Sequence, residues 1–284
     1  MIRIILKAII TLLFFATTIA KAQKFQGKAL YQTKFIMSDA TKKRMDSSKM
    51  PNDRKAFMMK MMKKRMEKVY VLDFNKSASI FKEEKTLAAP DESSRFSRSS
   101  DNVLYKNTKE HHFTNKKETL GKIFLIKDSL PSYNWTLEKE SKMIGKHLCF
   151  KATAEKEVKS DLNRFSRFMN KKKESEKDSS KVKTFKKIKI TAWYTPEIPV
   201  AHGPREFHGL PGLILEVDMS NFQLLCTKIV LNPKEKEAIE APTKGKEISQ
   251  KKYDKMMEDK MKEMRERFKS GRKKGSDSRK GHRF

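Results

Sequence analysis

Side chains able to do chemistry crowd one stretch of this chain, where Glu197, His202, Glu206 and His208 fall within a dozen residues, with His147 elsewhere. Carboxylates and imidazoles suit zinc, but zinc sites hold their ligands on rigid elements at recognisable spacings. His202 and His208, with five residues and a proline between them, match no such signature, so these four are expected to be loop residues facing solvent. His111 and His112 are adjacent and in a strand would point to opposite faces. Cys149 follows His147 by two positions, on one strand face, a pairing that nucleophilic catalysis could use. No glycine loop for an oxyanion lies nearby, and no nucleophile elbow, phosphate-binding loop or paired-cysteine zinc motif occurs. The methionines form stripes: Met58, Met62 and Met66 with Met59 alongside, then Met257, Met261 and Met264 with Phe268. Thioethers of an exported protein could hold Cu(I), although packing or docking explains such stripes more simply. No catalytic residue, metal ligand or cofactor is assigned, and the chain is expected not to be an enzyme.

The chain carries 65 Lys plus Arg against 35 Asp plus Glu in 284 residues, a net charge of +30, with 37% apolar residues. So lean an apolar fraction predicts one modest core with polar segments attached. The charge suggests an anionic partner, and residues 1–22 restrict which. Arg3 and Lys7 precede an uncharged run from Ala8 to Ala20, and Ala20-Lys21-Ala22 is a small-x-small cleavage site, the pattern of a secretory signal peptide cut after Ala22. The apolar run is too short to cross a bilayer. Cleavage removes Arg3, Lys7 and Lys21 and leaves +27 of the +30. Export to the periplasm or outer envelope makes nucleic acid an unlikely partner. It also leaves two readings open for Cys149 and Cys226, one disulfide or two buried thiols.

Short segments with alternating polarity and β-branched or aromatic residues predict about ten strands at hairpin spacings, over 28–36, 69–74, 79–82, 102–107, 110–114, 123–126, 134–137, 146–153, 188–194, 213–217 and 223–231. This pattern favours a mainly β, antiparallel sheet over alternating βαβ units. Leu213 to Val217 pairs with Gln223 to Leu231 through a turn at Ser220 and Asn221, and alternation places Leu213, Leu215 and Val217 on one buried face. Residues 50–68 and 250–269 are rich in Met, Lys, Glu and Arg and predict two amphipathic helices. The organisation expected is a β domain over 23–232 with a helical insertion near 50–68 and a polar insertion near 155–183, a helical segment over 233–269, and a disordered basic tail over 270–284.

Ala192 to Asp218 reads AWYTPEIPVAHGPREFHGLPGLILEVD. Its four prolines, Pro196, Pro199, Pro204 and Pro211, exclude a regular strand or helix over 195–211, and Leu210-Pro211-Gly212 fits a type II turn with Gly at the position needing positive φ. This stretch, from Trp193 to Pro199, Gly203-Pro204 and Phe207 to Val217, resembles the family named for the motif GLPGLI, exported bacterial proteins without an established biochemical function. Upstream, Phe124 to Ser129, Trp135 to Leu137 and Met143 to Thr153 are similar too, so the resemblance covers most of residues 27–232. It implies a curved antiparallel half-barrel, similar to those of periplasmic lipoprotein carriers whose concave face holds apolar ligands.

The expected role is that of an exported binding protein. An apolar ligand, lipid or partner segment would lie against Trp193, Tyr194, Pro211, Leu213 and Leu215, while the basic helices and tail associate with anionic membrane surface or an envelope protein. Two alternatives stand beside it: a copper- or zinc-handling protein using Met and His, and an interaction module of an envelope transport or secretion assembly.

Overall fold

The computed structural model describes residues 25–37, 39–84, 101–159, 185–219 and 222–277. The expected leader, most of the polar insertion, the turn at Ser220 and Asn221 and the end of the tail lie outside the described residues. The strands are β1 (Gln26–Phe35), β2 (Val69–Asn75), β3 (Ala78–Glu83), β4 (Val103–Asn107), β5 (His112–Thr119), β6 (Lys122–Ser129), β7 (Thr136–Ile144), β8 (His147–Lys159), β9 (Phe185–Thr195), β10 (Leu213–Met219), β11 (Phe222–Leu231) and β12 (Lys246–Ile248). They form one sheet in the order β12-β6-β5-β4-β3-β2-β1-β11-β10-β9-β8-β7. Every neighbouring pair is antiparallel except β12 on β6, which is parallel. The protein is therefore mainly β, as the strand pattern predicts.

Chain connectivity forces the sheet to curl. β6 and β7 stand ten strand positions apart, about 48 Å on a flat sheet. Residues 130–135 alone connect them, a link that reaches about 25 Å when fully extended. The two sides of the sheet must approach each other, and the inward side chains of β1 and β2 meet those of β8 to β11. Tyr31, Leu72, Phe74, Ile190, Val217 and Leu224 share one buried cluster. Ala152 and Ala192 are cross-strand partners in that cluster, and such small residues leave room for Ile198, Val200, Phe207 and Leu210, which enter it from the connection between β9 and β10.

β10 departs from the alternation expected of it. All of Leu213 to Val217 are buried, and the register against β9 slips between Ile214 and Glu216, a bulge that breaks strict inside-outside alternation. Glu216 is buried in consequence. It is held by Lys142 Nζ at 2.7 Å and accepts a hydrogen bond from Gln223 Nε2 at 2.9 Å.

Helices α1 (Asp39–Asp46) and α2 (Asn52–Met66) lie between β1 and β2. α2 leaves Phe57, Met61 and Met66 exposed, so its apolar residues are not all spent on the sheet. After β11 the chain crosses the outer face of the sheet, where Glu237 pairs with Lys28 at 3.2 Å and Lys82 at 2.6 Å. It then adds β12 and continues into α3 (Gln250–Asp277). Tyr253, Met256 and Met257 pack on Phe113, Phe124 and Ile126. α3 runs to Asp277, into the stretch expected to be disordered.

Candidate ligand cavity

The proline-rich connection between β9 and β10 is tied down by local backbone chemistry. The Val200 amide donates to Ile198 O and the Gly212 amide to Leu210 O, both at 2.8 Å. Each closes a three-residue γ-turn centred on a proline, Pro199 or Pro211, whose ring fixes φ near the value that turn requires. The type II turn expected at Pro211 is therefore not formed, and Gly212 lacks positive φ. Its role is close approach, since a Cβ at this position would lie 2.2 Å from Thr195 O. The left-handed glycine of the motif is Gly209, at φ 92°. The Leu213 amide donates to Ile198 O and the Ile214 amide to His202 O, both at 3.0 Å, so the loop folds back onto the start of β10.

Two buried nitrogen-bearing side chains meet this loop. Lys106, on β4, is fully buried and donates to Gly203 O at 2.7 Å and Phe207 O at 2.9 Å. Burial pushes its amine down to about 7, with Glu206 opposing the shift. A neutral amine has two N–H bonds, enough for both carbonyls. His202 is fully buried, tilted against the Phe74 ring at 6.4 Å. Neither ring nitrogen makes a hydrogen bond of ordinary geometry, although the Asn75 carbonyl favours its protonated form. Burial first, then Lys106 and His208, lower its pKa to about 3. His202 and His208 face each other across an isolated backbone bridge, and His208 O accepts from Trp135 Nε1 at 2.9 Å.

Beyond Lys106 the concave face opens into a cavity of about 590 Å³. Register defines its floor. Phe81 pairs with Leu104 and Leu104 with Asn115, forming a middle row; Lys106 with Phe113 and Phe113 with Asp128 form a second row; Lys117 lies farther along β5. Tyr70 stacks on Phe81 at 4.9 Å. Lys156 of β8 and Arg205 and Glu206 of the loop supply the opposite wall, and Leu130, Pro131 and Gln250 line it as well. Its carboxylates already have partners. Glu83 pairs with Lys68 at 2.7 Å, Glu206 with Lys156 at 3.2 Å, and Asp128 accepts from the Ser129 and Gln250 amides. Burial would raise the Glu206 carboxyl, but Arg205 and Lys156 outweigh it and hold the group below its usual value. Lys117 forms no ion pair among the described residues and lies 5.5 Å from the Tyr253 ring centroid. Burial, then Arg205, lower its pKa.

The residues expected to line a ligand site lie elsewhere. Tyr194, Leu213 and Leu215 are buried in the packed cluster. Trp193 lies beneath the Lys142 ammonium, 4.3 Å from the ring centroid, and Pro211 is exposed. None of the five lines the cavity. Glu197 does not face solvent alone: its carboxylate bonds His147 Nδ1 at 2.6 Å and accepts the Leu148 amide at 3.2 Å, pinning the start of the loop to β8. Cys149 and Cys226 are free, buried thiols on β8 and β11, with two strands between them, so the disulfide is not formed here. Burial raises them to about 11 and about 12, which disfavours the reactive thiolate. Among the described residues no three His, Cys, Asp or Glu side chains converge on a point. The cavity residues the sequence reading passed over had one signal: Lys106 shares strand parity with Leu104, a charge on an otherwise inward-facing set.

No curated protein matches the chain. Two crystal forms of PNGF-II match at 14% identity and a TM-score of 0.47, covering 82% and 81% of this chain but 32% and 33% of theirs. The chain thus spans about a third of the length of those structures. An uncharacterized conserved protein from Thermus thermophilus matches at 6% identity and a TM-score of 0.33, over 84% of this chain and 99% of that one. Residues 135–216, from the indole that ties down the loop to the buried carboxylate of β10, match the model of a family described as a protein of unknown function (Porph_ging).

Proposed function

We propose that this chain is a non-enzymatic binding protein of the cell envelope, exported by its N-terminal segment, that holds a small amphipathic molecule within its curved sheet. The observation that carries this reading is the cavity of about 590 Å³ between β2–β6 and the proline-rich loop. Its volume is that of a small-ligand site. Tyr70, Phe81, Leu104 and Phe113 offer apolar wall, and the polar side chains stand around them. The expectation of an apolar trough beside Trp193 moves to the other half of the concave face. Inert thiols and a His147 engaged by Glu197 support binding over catalysis. Similarity of the Trp193–Val217 stretch to the GLPGLI family agrees with export. Association with anionic membrane surface is the second part of the reading. α2 exposes Phe57, Met61 and Met66 beside Lys60 and Lys63, a composition suited to a headgroup region.

Mass spectrometry under native conditions tests the first part. Protein prepared from envelope fractions is expected to carry a small molecule that denaturation releases, and the purified chain to take up the neutral dye Nile red. A bare mass together with no dye uptake by protein or by a Leu104→Ala variant would overturn the reading. Flotation with phosphatidylglycerol vesicles, compared with phosphatidylcholine, tests the second; equal behaviour on both counts against it.

A further inference from the structure

We infer that the cavity selects amphiphiles with an acidic head group, and that Lys117 and Arg205 together receive that group. The inference rests on the binding reading above and adds the ligand class to it. Both side chains line the one cavity. Lys117 stands on the floor, on the same face of β5 as Phe113 and Asn115, and Arg205 on the loop opposite. Lys117 forms no ion pair among the described residues; after burial, Arg205 lowers its pKa, and Asp254 and Glu206 act on it in the opposite direction. Two cations facing one water-accessible space repel each other until an anion enters between them.

Among the carboxylates lining the cavity, Glu83 and Asp128 are engaged by Lys68 and backbone amides, and Glu206 is held by Lys156 at 3.2 Å, closer than by Arg205 at 3.5 Å. Arg205 keeps a loose contact of 3.5 Å with Glu206 and lies 5.3 Å from the Phe222 ring centroid. It also holds φ at 50°, a conformation unfavourable for a residue with a Cβ. Strain of this kind collects where function requires a side chain to be aimed. Next to the two cations lie Tyr70, Phe81 and Leu104, an apolar surface on which a hydrocarbon or aromatic body would rest. A carboxylate and a phosphate monoester present the same chemistry to such a pair.

Displacement of Nile red from the full chain by decanoate, decyl phosphate and decan-1-ol, each below its micellar concentration, tests the inference. Both anions are expected to displace the dye at concentrations about tenfold or more below that of decan-1-ol, and whichever anion is stronger identifies the head group. Lys117→Met and Arg205→Gln are each expected to bring the anions to the level of decan-1-ol while leaving decan-1-ol unchanged. Equal displacement by all three compounds would overturn the inference and leave the binding reading intact, as would unchanged selectivity in both variants. Failure of the chain to take up dye, with none of the compounds bound by calorimetry, would remove both.

Discussion

From β8 through β11 to β1 the concave face is filled by the proline-rich loop, whereas from β2 to β6 the same face opens on a cavity of about 590 Å³. The backbone is the same curled ladder in both halves. What differs is the inward set of side chains: Ala152, Ala192, Ile190 and Val217 on one side, Lys106, Asn115, Lys117 and Glu83 on the other. The filled half supplies stability, and the open half retains polar groups that stability alone would not select. Lys106 stands on the boundary, reaching from the open half to hold the carbonyls of the loop that fills the other.

The sharpest test of that division is a matched pair of truncations. Phe207→Ala removes a fully buried ring that packs against Tyr133 at 5.5 Å, and is expected to cost about 3–5 kcal/mol. Leu104→Ala, at the half-buried floor of the cavity, is expected to cost about 1 kcal/mol. Urea denaturation of both variants measures the difference. Equal costs would mean that the two halves are packed alike and would break the comparison.

Glycine substitutions probe the loop at the next scale. Gly212→Ala drives a methyl to 2.2 Å from Thr195 O, and because a backbone atom must move, the expected loss is about 3 kcal/mol. Gly209→Ala meets only Trp135 Nε1, at 3.9 Å, so its cost is that of the left-handed conformation alone, about 1–2 kcal/mol. Thermal unfolding should rank Gly212→Ala well below Gly209→Ala. The reverse order would restore the type II turn read from the Pro-Gly pair.

The boundary also predicts how stability follows pH. His202 has a pKa of about 3 in the folded chain, against 6.5 for an ordinary imidazole, and Lys106 about 7 against 10.5. In both windows the unfolded chain binds more protons, so stability rises with pH. Their effect is seen as a loss while pH falls from 10.5 to 7 for Lys106, and from 6.5 toward 3 for His202. Each full unit within a window is worth about 1.4 kcal/mol at most. His202→Gln is expected to flatten the acid limb and Lys106→Met the alkaline one, in urea midpoints taken from about pH 4 to about pH 10. A slope unchanged in both variants would mean that neither group is desolvated by the loop. The groups facing them, His208 and Glu206, are retained in both variants.

Much of the sheet was legible because it rests on local signals. Val69 to Phe74 and Ile188 to Tyr194 carry the alternation and β-branching that a half-buried strand requires, and the antiparallel order follows from short connections. β12 was not legible: Lys246–Ile248 is three residues long, and its parallel pairing on β6 is made by a chain returning around the outer face. The residues expected at a ligand site fall outside the cavity for a related reason. Trp193, Tyr194, Leu213 and Leu215 look like the wall of a trough if nothing covers them, and only the tertiary path of the loop decides that Ile198, Val200, Phe207 and Leu210 do. Of the methionine stripe expected on α3, only Met257 packs on the sheet, beside Tyr253 and Met256, while Met264 is exposed; that contact with Phe124 and Ile126 depends on β12 turning the chain at the edge of the sheet.

Lys117 gives the smallest effect and the one most specific to the open half. An ammonium that is partly desolvated, shares a cavity with Arg205 and forms no ion pair among the described residues destabilises the empty protein slightly. Lys117→Met keeps the length of the side chain and removes the charge, so the ligand-free variant is expected to gain about 0.5 kcal/mol. A substitution that deletes a charge would ordinarily be neutral at an exposed site or costly at a paired one. A gain in the urea midpoint without ligand, together with a loss of anion selectivity, is the signature of a residue kept for binding at the expense of stability. A fall in the midpoint would show that Lys117 is held by a carboxylate in solution, and the open half would then be polar for packing reasons of its own.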